Sequence, residues 1–369
     1  MQSKRISKAV LLMMAVALQL WSSVANAHVK WFVDEHAEYY NLDSESFSFS
    51  ERSVVVWSAL LITVLVIARV LERILVKYSR TSHLKLYKWG VRHWSILYRA
   101  FQILVGMPLI MSAYKGAVIA PHLVGSGLLI DSLRAIEACA GIFLVCNVYA
   151  TAASWLLVAL AAGVFSAFGT VSLLENVGVL GLALFLRCGD EQKDSYGTHE
   201  REWKIFVLRI LVGMNFVVLA LTEKLLRPDL ALSFLQHYDL NFMKGVWIDY
   251  SDRLFVFSAG IVELAFGLVF ILGYVTRLNS FFLLLFLIAS NSYFFAVGND
   301  SMAWMEATGH SPILASVLIL LIFGRGLSNR TAFTRYMHVK WMFLALSGYR
   351  RRDQEKSVSD IGRSPQPNY

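Results

Sequence analysis

Apolar runs of membrane-spanning length are the feature that most constrains this chain. About nine of them follow residue 50, near 54–71, 98–119, 132–151, 153–170, 174–187, 204–224, 254–273, 279–297 and 311–325. A hydrocarbon core of about 30 Å needs about 20 apolar residues per helix, so the fifth and ninth runs are short. Charged residues make up 16% of the chain, against about 25% in soluble domains. The sequence therefore predicts an all-α integral membrane protein and excludes a soluble enzyme.

The first 27 residues have the pattern of an export signal. Three basic residues precede an apolar stretch, and Ala25-Asn26-Ala27 forms a small-x-small cleavage site. We predict that residues 1–27 are a cleaved signal peptide; the alternative is an uncleaved first transmembrane helix. Cleavage would leave an acidic segment, residues 28–53, on the periplasmic side of a bacterial inner membrane.

Lys and Arg residues predict the orientation of the spans. They are concentrated in the loop at residues 72–97 and in the segment at 327–369, and the positive-inside rule places both in the cytoplasm. Nine spans connect an outer start with an inner end. We expect residues 327–369 to form an interfacial helix and a disordered tail. The net charge of +8 then reflects topology, and we expect no nucleic-acid partner.

An internal duplication organises the remaining spans. LVGM occurs at 104–107 and again at 211–214, and E-x-x-x-G begins at both Glu137 and Glu263. E-x-x-G begins at both Glu175 and Glu306. We therefore predict one leading helix at 54–71 followed by two repeats of four helices, joined by a cytoplasmic linker at 191–203. The repeats are residues 98–190 and 204–326, and an even number of spans in each makes them parallel.

The second repeat resembles the DoxX-type membrane family. The resemblance depends on R-x-x-x-G, a Lys followed by Pro, E-x-x-x-G, a Thr-Arg turn and a closing G-H-x-P. The matching residues are Arg209, Gly213, Lys224, Pro228, Glu263, Gly267, Thr276, Arg277, Gly309, His310 and Pro312. The resemblance implies a four-helix bundle and, in some relatives, a subunit of a quinone-linked sulfur-oxidising enzyme. The first repeat lacks the closing His and Pro, so a single site would lie in the second.

Two carboxylates lie within predicted spans, where ionisable groups are costly and often functional. They are Glu263 and Glu137. One interpretation is a proton- or quinone-binding carboxylate. The other is a structural ion pair inside the bundle, for which the sequence offers three basic partners: Lys224, Arg209 and Lys115.

A second group of charged residues is predicted at the outer ends of the helices. Glu306 and His310 are four residues apart, so they would share one face of a helix. We expect them to converge at an outward-facing mouth with Glu223, Lys224, Asp229 and Glu263. Half-buried clusters of this kind favour proton transfer. Helix N-termini also simply prefer acidic residues, and the same alternative applies to Glu175.

Metal and thiol chemistry have weaker support in the sequence. After cleavage, the α-amine and imidazole of His28 could chelate copper, with His36 as a further ligand. An N-terminal histidine is, however, usually just a product of cleavage. Cys139 and Cys146 are seven residues apart on one predicted helix, too far to form a disulfide.

Three functions remain open at this point. The first is an auxiliary or quinone-linked subunit of a redox system, with a membrane or periplasmic redox partner. The second is a transporter for a small solute or ion, with a midplane site between the repeats lined by Glu137 and Glu263. The third is a metal-handling protein that uses residues 28–52. The sequence does not decide whether the protein is an enzyme.

Overall fold

The computed structural model describes residues 30, 47, 51–78, 80–188, 197–238, 241, 243, 250–296 and 300–326. The predicted signal peptide, His28, His36 and the segment at 327–369 lie outside the described residues. Within the described ranges the elements are α1 (Arg52–Tyr78), α2 (Arg80–Arg92), α3 (Trp94–Tyr114), β1 (Ala117–Val118), β2 (Ala120–Val124), α4 (Leu128–Val145), α5 (Ala150–Glu175), α6 (Gly178–Leu186), α7 (Gly197–Leu219), a π-helical turn (Ala220–Leu225), α8 (Pro228–Tyr238), α9 (Asp252–Leu272), α10 (Thr276–Ala296) and α11 (Asp300–Phe323).

Six helices of the described part are long and apolar enough to cross a membrane. They are Arg52–Leu75, Trp94–Tyr114, Ala150–Glu175, Arg201–Leu225, Asp252–Leu272 and Met302–Phe323. A shorter apolar stretch, Thr276–Ala289, lies in α10. The protein is thus a helical, multi-spanning membrane protein, with one small hairpin made by β1 and β2.

Several helix boundaries differ from the sequence-based expectation. The predicted loop at 72–97 contains the end of α1 and all of α2. The ninth run, predicted to be short, is the end of α11, which has 24 residues because its polar first turns are also helical. The fifth run forms α6 with only nine residues. That length corresponds to about 14 Å, so α6 alone covers about half of a hydrocarbon core.

The short helix α6 lies antiparallel to α7, along the stretch from Lys204 to Asn215. At its start, the Gly178 N–H donates to the Asn215 Oδ1 at 3.3 Å. After its end, the Lys204 Nζ donates to the Arg187 carbonyl at 3.0 Å. Before α6, the chain departs from helical geometry at Gly169, with φ 85° and ψ −176°, a conformation that is accessible mainly to glycine. The fifth run is therefore a kinked helix end followed by a half-length helix.

Two helix crossings in the bundle have the same construction. We call residues 94–188 the first half and residues 197–326 the second half. A methyl group added to Gly141 in α4 would lie 2.7 Å from the Gly106 carbonyl oxygen of α3. A methyl group added to Gly267 in α9 would lie 2.7 Å from the Gly213 carbonyl oxygen of α7. Glycine at these positions allows the backbones to touch, as in small-residue packing of membrane helices.

At the same end of each crossing, an arginine caps the C-terminus of one helix. The Arg99 guanidinium donates to the carbonyls of Leu144 and Val145, at the end of α4. The Arg209 guanidinium donates to the carbonyls of Phe270 and Ile271, at the end of α9. Cations at a helix C-terminus satisfy its free carbonyls and favour the helix dipole. We call this the arginine end of the bundle and the opposite end, with β1 and β2, the hairpin end.

The leading helix α1 packs in parallel along α9 of the second half. Near its start Val54 belongs to an apolar cluster with Phe257 and Ile261, and further along Ala68 belongs to another with Val269 and Val275. At the arginine end, Glu72 accepts the Val275 N–H at 2.7 Å and the Arg325 guanidinium at 3.1 Å. The one acidic residue of a basic stretch therefore fixes α1 to the second half.

We expect Gly267→Ala to destabilise the protein by about 1–3 kcal/mol, because the added methyl group must push two backbones apart. The control is Gly125→Ala, whose added methyl group would lie at an ordinary 3.4 Å from Ile130. Unfolding of the purified protein in mixed detergent measures the difference. If Gly267→Ala were as stable as Gly125→Ala, the close backbone contact at Gly267 would be contradicted.

Candidate functional site

Glutamates are concentrated and buried at the hairpin end. Glu137, Glu223 and Glu306 have no exposed surface, and Glu175 is 3% exposed. The side chain of Glu263 is 16% exposed. A buried charge is stable only when it is paired or hydrogen-bonded, so the partners of these five carboxylates indicate what each can do.

Glu263 forms an ion pair with Lys224. The Lys224 Nζ donates to the Glu263 Oε2 at 2.6 Å, and Lys224 is 2% exposed. Of the three partners considered from the sequence, the structure selects Lys224. Arg209 lies instead at the arginine end, and Lys115 is exposed.

A π-helical turn places Glu223 and Lys224 in the interior together. In this turn, Ala220–Leu225, both residues are buried although they are adjacent in sequence. The wider turn inserts an extra residue into the helix, a feature that is frequent at functional sites. Gly260 of α9 packs against it, since a methyl group there would lie 3.1 Å from the Lys224 Cβ.

Glu306 pairs with His310 one turn further along α11. The Glu306 Oε2 lies 2.9 Å from the His310 Nδ1. The amide of Asn291 in α10 lies 3.3 Å from the same ring nitrogen. Glu306 also interacts electrostatically with Lys224, and His310 lines one cavity with Lys224 and Glu263, so the two pairs lie close together.

Glu175, at the end of α5, pairs with a residue from the segment before α1. The Lys30 Nζ donates to the Glu175 Oε1 at 2.6 Å, and the two side chains are 10% and 1% exposed. His122 of β2 lies 4.0 Å from the other carboxylate oxygen, Oε2. That oxygen is buried and accepts no hydrogen bond from the described residues.

Glu223 connects these two lysine pairs electrostatically. It interacts with Lys224 and Glu263 on one side and with Glu175 and Lys30 on the other. We call these five residues the charged cluster. The cluster contains three carboxylates and two lysines, so it carries a net negative charge when all five groups are ionised.

Glu137 has a different environment from its sequence counterpart Glu263. Its Oε1 accepts the Ile119 N–H at 3.0 Å, between β1 and β2. Ile119 has φ 64°, which is unusual and strained for a β-branched residue. The Glu137 carboxylate therefore stabilises the hairpin, and the structure does not place it in the charged cluster.

A cleft opens beside the charged cluster, between the two halves. It has about 680 Å³ of empty space, part of it open to the surroundings. Its polar wall includes Glu175, Asn176 and His122 from the first half and Asn215 and Glu223 from the second. The rest of the wall is mainly apolar, formed by Ile119, Val179, Leu182, Val212, Phe216, Leu219 and Ile313.

A second cavity lies within the second half. It has about 460 Å³ of empty space, and Lys224, Glu263 and His310 line it together with apolar residues. Phe216 lines both spaces. The two lysine pairs therefore face different cavities, with the Phe216 ring at the boundary.

The second half carries the recognisable family sequence. Residues 204–297 match the model of the DoxX family. The resemblance predicted from the motifs is thus confirmed for this segment. The DoxX segment contains Glu223, Lys224 and Glu263 but ends before Glu306 and His310. No curated protein and no solved structure matches the chain significantly.

Two predicted features are not part of this site. Asp229, expected at the mouth with Lys224, pairs instead with the exposed Arg227 at 3.3 Å. Among the described residues, no group of His, Cys, Asp and Glu could hold a metal ion. The copper site at His28 and His36 lies outside the described residues and stays a prediction.

Sequence reasoning missed three polar residues of the cleft wall, His122, Asn176 and Asn215, and also Lys30, the partner of Glu175. Lys30 lies in the predicted outer segment, far from any repeat motif. His122 lies outside the repeated motifs. Asn176 follows Glu175 in E-x-x-G, and Asn215 directly follows LVGM, so the neighbouring motifs were the available signal for these two asparagines.

We expect Lys224→Met to destabilise the protein by about 3–5 kcal/mol, because it leaves the Glu263 carboxylate buried without its cation. The double variant Lys224→Met/Glu263→Gln should recover part of the loss. Arg227→Met is the control, since this side chain is 52% exposed and exposed pairs contribute about 0–1 kcal/mol. Denaturant unfolding in detergent measures all three. If the two single variants lost the same stability, the buried Lys224–Glu263 pair would be no more important for stability than the exposed Arg227 side chain.

Proposed function

We propose that the protein transports a small cationic solute through a binding site in the cleft between its halves. The observation that carries the proposal is the cleft wall, to which the first half contributes Glu175 and the second half Glu223. Both carboxylates are buried, and the charged cluster has one more carboxylate than lysine. A bound cation or a proton would neutralise this excess, so cation binding and protonation would compete.

The half-length helix α6 supports transport over simple binding. Transporters commonly place their sites where a helix is interrupted near the middle of the membrane. Here the chain is kinked at Gly169, and α6 begins beside Asn215 in the cleft wall. The break thus lies at the proposed site, and motion of one half against the other would change access to it.

We also propose that the halves arose by duplication and that the termini have the predicted orientation. The glycine crossings of Gly106 with Gly141 and of Gly213 with Gly267 support the duplication, as do the equivalent arginine caps. The parallel packing of α1 and α9 agrees with both running from the periplasm to the cytoplasm. A cleaved signal peptide, nine predicted spans with α6 as a partial one, and an inner-membrane location complete this proposal.

A redox role is a second candidate, and the DoxX match favours it. The resemblance implies a quinone-linked subunit in some relatives, and the apolar side of the cleft would suit a quinone ring, with His122 and Glu175 near its carbonyl oxygens. In that case the protein would act with a membrane or periplasmic redox partner.

Flux into proteoliposomes tests the transport proposal. A pH-sensitive dye is trapped inside the proteoliposomes, and an inward gradient of a small cation is applied. We expect the internal pH to change, because each entering cation exchanges with protons. Glu223→Gln should reduce the flux at least tenfold, since the amide cannot carry the charge. Asp131→Asn, at an exposed carboxylate of the first half, should leave the flux unchanged. Absence of flux for all cations tested, from protein shown to be folded, would overturn the proposal.

Mass spectrometry of the gently solubilised protein separates the two candidates. The redox role predicts a retained quinone or a co-purifying oxidoreductase subunit. The transport role predicts neither, because a transported solute leaves the site. A stoichiometric quinone together with absent cation flux would favour the redox subunit.

A further inference from the structure

We propose that Lys30 occupies the cation position of the cleft, and that the solute recognised there is a primary ammonium group, which exchanges with the Lys30 ammonium. This inference rests on the proposed function and specifies its substrate class. It starts from Lys30, a cation at Glu175 that comes from outside both halves.

The geometry at Glu175 is that of an ammonium site. The Lys30 Nζ lies 2.6 Å from the Glu175 Oε1, which is a short, charge-assisted hydrogen bond. Both side chains are largely buried, and Glu175 lines the cleft. Glu223 adds a second negative charge within electrostatic range of Lys30. The Lys30 ammonium is therefore bonded to one carboxylate and lies within the electrostatic influence of a second.

The second oxygen of Glu175 indicates that the site can accept more hydrogen bonds than Lys30 donates to it. The Oε2 atom is buried and accepts no hydrogen bond from the described residues. An ammonium group has three N–H donors. A small primary ammonium that is free to reorient could use both carboxylate oxygens, whereas a quaternary ammonium could use neither.

The counterpart position of the second half shows how Glu175 differs. There, the Glu306 Oε2 lies 2.9 Å from the ring of His310 on the same helix. In the first half Val179 stands four residues after Glu175, and the His122 ring lies further away, 4.0 Å from the Glu175 Oε2. The Lys30 ammonium makes the short contact instead, and a group attached to the chain competes with solute at an effective concentration that is commonly millimolar.

The exchange between Lys30 and a solute ammonium follows from the burial of Glu175. If Lys30 left without replacement, Glu175 and Glu223 would share a buried site with too few cations, which is strongly unfavourable. Departure of the Lys30 ammonium and arrival of a solute ammonium are therefore coupled. Lys30 would keep the site neutral between one solute and the next.

Chemical labelling tests the position of Lys30 without any solute. A water-soluble N-hydroxysuccinimide ester is reacted with the full chain in detergent, and labelled peptides are quantified by mass spectrometry. Lys115, which is exposed, is the internal reference. Lys30 should react at least tenfold more slowly than Lys115 in the wild type, and this protection should be lost in Glu175→Gln. Equal reactivity of the two lysines in the wild type would overturn the proposal.

Binding of radiolabelled methylammonium tests the substrate class. We expect Lys30→Met to bind it at least tenfold more tightly than the wild type, because the competing group is removed. Lys30→Arg, which keeps a cation, should stay close to the wild type, and Lys30→Met/Glu175→Gln should not bind. Excess unlabelled tetramethylammonium should not displace the probe.

The outcomes separate this inference from the proposed function. If Lys30→Met binds methylammonium no more tightly than the wild type, Lys30 does not compete and the inference is wrong. If methylammonium does not bind but another cation shows Glu223-dependent flux, transport stands and the ammonium class is wrong. If neither binding nor flux is found in folded protein, both proposals fail.

Discussion

Carboxylates buried among apolar helices need a cation or a hydrogen-bond donor as a partner, and the rest of this structure depends on how these partners are supplied. Removing a carboxylate from water costs several kcal/mol, which attraction to a partner repays only when the geometry is good. Four arrangements occur among the described residues. Glu263 has the Lys224 ammonium, Glu175 has the Lys30 ammonium, Glu137 accepts the Ile119 N–H, and Glu306 lies against the His310 ring. The π-helical turn and the hairpin both serve these contacts.

The two halves share their construction and differ in the partners of their buried carboxylates. Their glycine crossings and arginine caps are equivalent, so the helices are held together in the same way. Glu137 and Glu263, which stand at the same place in E-x-x-x-G, have a backbone N–H and a lysine as partners. The first half thus forms one wall of the cleft, with a strained turn at Ile119, whereas the second half keeps an ion pair inside its own cavity.

The sequence predicts the framework of the bundle well because the framework depends on local periodicity. Apolar length predicts most of the helices, and the i, i+4 spacing of Glu306 and His310 predicts their contact. Motif resemblance identifies the DoxX segment, and Lys224 is one of three partners proposed for Glu263. The π-helical turn could not be predicted, because one inserted residue leaves the apolar pattern almost unchanged.

Long-range contacts explain the other differences. Lys30 and Glu175 are 145 positions apart, and no local pattern connects them. The fifth apolar run includes the last residues of α5, the turn at Asn176 and Val177, and the nine-residue helix α6, a division that hydropathy does not detect. Glu137 was treated as equivalent to Glu263 because sequence comparison aligns the two residues but says nothing about the backbone that each one meets.

The short helix α6 has a consequence for the membrane voltage. Where water fills the cleft as far as the start of α6, the low-dielectric barrier beneath it is about as thick as nine helical residues, or about 14 Å. The transmembrane potential would then fall mainly across this layer, and the field there would be about twice that across a full bilayer. The energy of a unit charge that crosses this layer would change by about 2.3 kcal/mol per 100 mV. This is the same change as across a full bilayer, but it would occur within about half the distance. The same interruption that forms the cleft would also focus the electric field at its floor.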